Sequence, residues 1–191
     1  MRRQGRREAA RRSGGAVERP SRGSAPPWSW HLRRRSPYAV EAALQQAEAN
    51  NGSVTAISIG GENAKDALKH ALAMGCGEAI LISDPGLTQA DSQMIARVLA
   101  AAIQKVGGVD LAFLGRQAID SDTGLTAAQT ARVLGWPALT LVSIIEKVDP
   151  AGGTIKVVRA IEEGRQVVKA DLPAVLDEIE ARLAAGGRRR D

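Results

Sequence analysis

Apolar and polar positions recur along this chain in two periods, and the switches between them outline its elements. Over residues 38–50 the apolar positions Val40, Ala43, Leu44 and Ala47 fall at spacings of three and four, and Asn50-Asn51-Gly52 closes the run. That spacing predicts a helix with a glycine stop. Residues 53–59 are a β-branched run that predicts a strand, and Gly60-Gly61-Glu62-Asn63 turns it into a helix over 64–74 that ends at Gly75. Residues 78–82 predict another strand, stopped by Asp84-Pro85-Gly86. Over 89–105, Ile95, Val98, Leu99, Ala102 and Ile103 share one stripe of a long helix. The apolar run at 109–114 predicts a strand and 126–134 a helix. Strict alternation with short connections implies right-handed crossovers and a parallel sheet covered on both faces, a doubly wound α/β fold.

Beyond Pro137 the period becomes two. Residues 139–147, 154–160 and 165–169 predict strands separated by Asp149-Pro150-Ala151-Gly152-Gly153 and Glu162-Glu163-Gly164, a small antiparallel extension. Pro173 then precedes a run predicted to be helical through Leu183, ahead of Gly186-Gly187 and Arg188-Arg189-Arg190. A parallel sheet should deliver its first helix from a preceding strand, and none is legible in residues 1–35. Either the fold lacks that strand or a pairing partner supplies it.

Length and charge refine the picture. At 191 residues and 44% apolar content the chain suits one domain with a sizeable core. Its net charge of +5 is unevenly spread: residues 1–35 hold eleven arginines against two glutamates, a net +9, so the remainder carries −4. A mildly acidic body argues against a nucleic-acid-binding face on the folded domain. Residues 1–36 are rich in Arg, Gly, Ser and Pro without periodicity, which predicts disorder. Trp28 and Trp30, near the arginines at 33–35, offer base stacking or a lipid-interface anchor, and the arginine-rich, acid-poor start also resembles an organelle transit peptide. No apolar run approaches the ~18 residues of a membrane span, so stable membrane insertion is not expected. The single cysteine, Cys76, excludes an intramolecular disulfide and suits a reducing, cytoplasmic setting.

The strongest candidate chemistry follows the 109–114 strand, in Gly115-Arg116-Gln117-Ala118-Ile119-Asp120-Ser121-Asp122-Thr123-Gly124-Leu125-Thr126. This loop runs from the carboxyl end of a strand to the amino end of a helix, where open α/β sheets bind ligands. Helix amides and the hydroxyls of Ser121, Thr123 and Thr126 suit phosphate, and the carboxylates of Asp120 and Asp122 suit ribose or an adenine amino group. An ordinary turn capped by Asp122 or Thr123 explains the same spacing. Ile59-Gly60-Gly61 is a second glycine turn after a strand, though neither a GxGxxG nor a Walker sequence. No conventional catalytic set is present. His31 in the basic segment and His70 inside a helix read as solvated or structural, Cys76 between glycines as a turn residue rather than a reactive thiol, and Asp120 with Asp122 as too few ligands for a metal site. Gly135 and Pro137 explain the end of the last helix, with Trp136 in the core or an interface.

Six ordered motifs together resemble the small (beta) subunit of electron transfer flavoproteins, including nitrogen-fixation-associated members, over residues 38–176. They are Tyr38-Ala39-Val40-Glu41-Ala42-Ala43-Leu44, Ala71-Leu72-Ala73-Met74-Gly75, Ala96-Arg97-Val98-Leu99-Ala100, the loop from Gly115 to Gly124, Leu134-Gly135-Trp136-Pro137 and Leu172-Pro173-Ala174-Val175. The resemblance implies a Rossmann-like, adenine nucleotide alpha-hydrolase-like domain over 37–176, between a disordered segment at 1–36 and a short helix and basic tail at 177–191. It implies pairing with a larger alpha subunit that holds the redox FAD, and AMP or a second FAD bound in this chain. By motif, the nucleotide contacts would be Ser36, Pro37, Ile59 and the loop from Gly115 through Thr126. The heterodimer would pass electrons from acyl-CoA or other dehydrogenases to a quinone oxidoreductase or another acceptor, a carrier rather than an enzyme.

Three departures stand beside this resemblance. Relatives begin with a strand and an Asn-Pro-aromatic sequence where this chain has Ser36-Pro37-Tyr38. They place glutamine near the phosphates where Leu125 stands here, and leucine cannot hydrogen-bond. They continue after Leu-Pro-Ala-Val into an extended arm, where this chain has the charged residues 177–191. A stand-alone adenine-nucleotide-binding domain, a non-functional remnant of the family, and a nucleic-acid or membrane adaptor driven by the tails are the alternative readings.

Overall fold

The computed structural model describes residues 28–31, 37–87, 89–115 and 124–177. In chain order the elements are β1 (Trp28–His31), α1 (Pro37–Ala49), β2 (Val54–Ile59), α2 (Ala64–Met74), β3 (Glu78–Ile82), a short 3-10 turn, α3 (Ser92–Val106), β4 (Leu111–Leu114) and α4 (Thr126–Leu134). There follow β5 (Ala138–Leu139), β6 (Val142–Asp149), β7 (Thr154–Ile161), β8 (Gly164–Asp171) and β9 (Ala174–Asp177). Six strands form a sheet in the order β3-β2-β1-β4-β9-β5, all neighbours parallel. Strands β6, β7 and β8 form a separate antiparallel sheet.

Alternation of side chains across each strand divides the core in two. Val54 and Ala56 of β2, Leu111 and Phe113 of β4, and Ala174 and Leu176 of β9 pack with Val40, Ala43 and Leu68 of α1 and α2. The same cluster takes in Val142, Val148, Ile155 and Val157 of the antiparallel sheet. The intervening positions Ile57, Ala112, Leu114 and Val175 meet Ile95, Leu99 and Ile103 of α3 and Ala127 and Ala131 of α4. With both faces covered, all four residues of β4 are buried. The sheet is doubly wound, as the alternating periods predict.

Helix ends follow local chemistry. Asp91 caps α3, its Oδ1 accepting from the Met94 amide at 2.7 Å. Helix α2 closes at Gly75, whose φ of 119° lets its own amide and that of Cys76 bond back to Leu72 and Ala71. In α1 the left-handed position is taken by Asn51 (φ 53°) rather than by Gly52, whose amide bonds to the Ala47 carbonyl at 2.7 Å. Asparagine tolerates this conformation better than other side chains do, so the stop lies one residue before the expected glycine.

Three expectations are corrected. Residues 1–35 do contain a strand: β1 lies at the centre of the sheet, with Trp28 in register with Val54 and Leu111, and His31 with Ile57 and Leu114. Residues 28–31 are therefore ordered, against the disorder predicted from composition. Four residues are too few to show a period, and pairing on both sides supplies what local composition lacks. Second, residues 174–177 are strand β9 rather than the start of a helix. Pairing with β4 on one side and β5 on the other overrides the helical propensity of the surrounding sequence. The remainder of that predicted helix and its basic tail lie outside the described residues. Third, the single strand predicted over 139–147 is two, parted at Thr140 and Leu141.

That corner fastens the antiparallel sheet to the main one. Leu141 has a φ of 59°, unusual for a non-glycine residue. Its amide donates to Oδ1 of the buried Asp177 at 2.7 Å, and its carbonyl accepts from the Ala160 amide at 2.9 Å. Arg159 donates from Nε to the Thr140 carbonyl at 2.6 Å and from Nη2 to Thr140 Oγ1 at 2.8 Å. Both residues of the turn are thus held from β7, and Leu141 also from β9.

Candidate nucleotide site at the carboxyl edge of the sheet

From β1 the chain proceeds outward through β2 to β3, then returns through α3 to place β4 on the other side of β1. Helices α1 and α4 follow β1 and β4 onto opposite faces. Strand order thus reverses at β1, and in open α/β sheets the crevice at the carboxyl ends of the two strands flanking such a reversal is where ligands bind.

The predicted site residues converge on that edge where they are described. Pro37 opens α1, a position where its missing N–H has no helical partner to lose. Ile59 ends β2, two residues past the last β1 register pair, and packs against the α3–α4 core. Its partly buried side chain thus points into that core, and its backbone pairs with Ile82 of β3. The next residue, Gly60, donates to the Ile82 carbonyl at 3.0 Å, and a Cβ there would stand 3.2 Å from that of Ala64. Glycine at 60 lets the turn into α2 pack closely.

On the other side, Gly115 follows β4 directly and is exposed, while Gly124 (φ 56°), Leu125 and Thr126 lead into α4. Helical bonding begins with the Gln129 amide donating to Leu125 at 2.9 Å, so the amides of residues 126–128 have no acceptor within the helix. The N-cap position falls on Leu125, which provides no side-chain bond. Leu125 is 52% exposed and Tyr38, in the first turn of α1, is 54% exposed. Each follows a strand next to the reversal, so both apolar side chains lie at the carboxyl edge and neither is used by the core. The predicted residues Ser36, Arg116, Gln117, Ala118, Ile119, Asp120, Ser121, Asp122 and Thr123 lie outside the described residues, as do the caps proposed at 122 and 123.

Two residues at this edge escape sequence reasoning. His31, assigned to the solvated basic segment, ends the central strand beside Leu114. Asp177 ends β9 in register with the same leucine and is buried. Only the alternation Trp-Ser-Trp-His hints at the first. The second is masked by the charged, helix-like sequence around it.

The perturbed titratable groups described lie elsewhere. Burial pushes the Cys76 thiol up to about 11 and raises the Asp110 carboxyl, and these groups precede β3 and β4 at the opposite edge of the sheet. The exposed Asp149 is lowered by the Gly152 amide and then by Lys147, within a hairpin turn. Among the described residues no group of three or more His, Cys, Asp or Glu is placed to hold a metal ion, and no helix is long and apolar enough to cross a membrane. Cys76 is the turn residue expected. Its thiolate is scarce at neutral pH, and we expect native protein at pH 8 to leave it unlabelled by a thiol reagent such as DTNB until denaturant is added. Stoichiometric labelling of the native chain within minutes would contradict its burial. A thiol with a raised pKa favours the fold fully below its unfolded value, and that contribution is lost as pH rises from about 9 towards 11.

Comparison with known proteins accords with this topology. Residues 29–177 match the family model of the electron transfer flavoprotein domain, a span that begins inside β1 and ends with β9. The electron transfer flavoprotein subunit beta of Clostridium acetobutylicum is 41% identical over 141 residues, 74% of this chain and 53% of that protein. Protein FixA of Azorhizobium caulinodans is 36% identical over 148 residues, 75% of this chain and 53% of that one. The caffeyl-CoA reductase-Etf complex subunit CarD of Acetobacterium woodii is 40% identical over 139 residues, 72% and 52% respectively. The chain spans about half the length of these curated relatives. A match of this extent, with the parallel sheet and the antiparallel extension in place, makes the chain a member of the electron transfer flavoprotein beta-subunit and FixA family.

Proposed function

We propose that this chain is the nucleotide-holding subunit of a heterodimeric electron transfer flavoprotein, and that its nucleotide, AMP or a second FAD, sits at the carboxyl edge of the sheet. What supports the reading is that Gly115, which follows β4, and Gly124, Leu125 and Thr126, which lead into α4, lie beside the reversal of strand order, in a chain whose relatives are beta subunits and FixA proteins. The amides opening α4 and the hydroxyls of Ser121, Thr123 and Thr126 bind phosphate oxygens, and Arg116 balances their charge. Asp120 and Asp122 accept from ribose hydroxyls or the adenine amino group, with Ser36, Pro37 and the Ile59 backbone completing the wall. The FAD of the alpha subunit supplies the electron-accepting and electron-donating chemistry. This chain packs over that flavin, excludes water from it and sets the polar groups around it. Electrons enter from acyl-CoA or other dehydrogenases and leave to a quinone oxidoreductase or another acceptor, so the chain acts as a carrier subunit. The lone buried thiol fits a cytoplasmic setting.

Titration calorimetry of the full chain with AMP and with FAD tests the nucleotide. One of the two binds with one-to-one stoichiometry, and Arg116→Ala or Asp122→Ala weakens it roughly tenfold or more, the loss of one charge-assisted hydrogen bond. Leu125→Gln strengthens it by restoring a hydrogen-bonding group beside the phosphates. Absence of binding to either nucleotide, or binding indifferent to all three substitutions, would overturn the proposed site.

A further inference from the structure

We draw no further inference here: the strongest candidate, the outward face of the β6–β7–β8 sheet where the row Ile144, Val158 and Val167 lies beside the row Lys147, Lys156 and Lys169, carries nothing because nothing in the structure shows what covers it.

Discussion

Removal of residues 1–35 is expected to abolish cooperative folding, whereas removal of residues 1–26 leaves the melting temperature within a few degrees of the full chain. The difference is strand β1. It pairs over four residues with β2 on one side and four with β4 on the other. Without it the main sheet falls into a β3-β2 pair and a β4-β9-β5 trio. The backbone groups on the facing edges of β2 and β4 would lose the partners that β1 provides and be left unpaired within the collapsed sheet. Each such group costs about 1–3 kcal/mol, and several together approach the roughly 5–15 kcal/mol by which a domain is stable. Circular dichroism and calorimetry of the two truncations check this. A sharp transition for the shorter chain at the full-length temperature would show that β1 contributes nothing to the sheet.

Phe113→Ala is the second large effect. Phe113 is 1% exposed in the middle of the sheet, in register with Leu176 on one side and Trp30 on the other. Truncating a buried phenylalanine costs roughly 3–5 kcal/mol through lost transfer energy and the cavity left behind. At roughly 2–4 °C per kcal/mol for a chain of this size, the melting temperature falls by about 10 °C. Phe113→Leu keeps most of the volume and loses far less. Because Gly115 lies two residues further on, a nucleotide bound at the loop should raise the melting temperature of wild type and variant alike. At a hundredfold excess over Kd the gain is about 2.7 kcal/mol. A drop of only a degree or two in Phe113→Ala would contradict the packing of β4.

Residues 38–134 are legible because their elements obey local rules. The stripe on α3, the β-branched run of β2 and the Gly75 and Gly135 stops each announce themselves within a dozen residues. What escapes reading depends on partners distant in sequence. Strand β1 has four residues in an arginine-rich stretch, and only its neighbours β2 and β4 define it as a strand. Strand β9 carries a sequence that favours a helix, and its pairing with β4 reaches back some sixty residues in sequence. The turn at Leu141 pairs a left-handed leucine with Asp177, a contact across thirty-six positions that no local pattern encodes. For the candidate site, the bounding glycines, Gly115 after β4 and Gly124 before α4, are legible because strand-to-helix junctions carry their own punctuation, while residues 116–123 between them lie outside the described residues. The contribution of the central strand was not, because the order of strands is a property of the whole sheet.

The most direct test of the proposed role is to co-express the full chain with an alpha subunit of this family, purify through a tag on this chain alone, and record its partner stoichiometry and visible spectrum. A one-to-one complex carrying flavin absorbance is the expected result. A colourless chain recovered without the alpha subunit would contradict the proposed role in electron transfer.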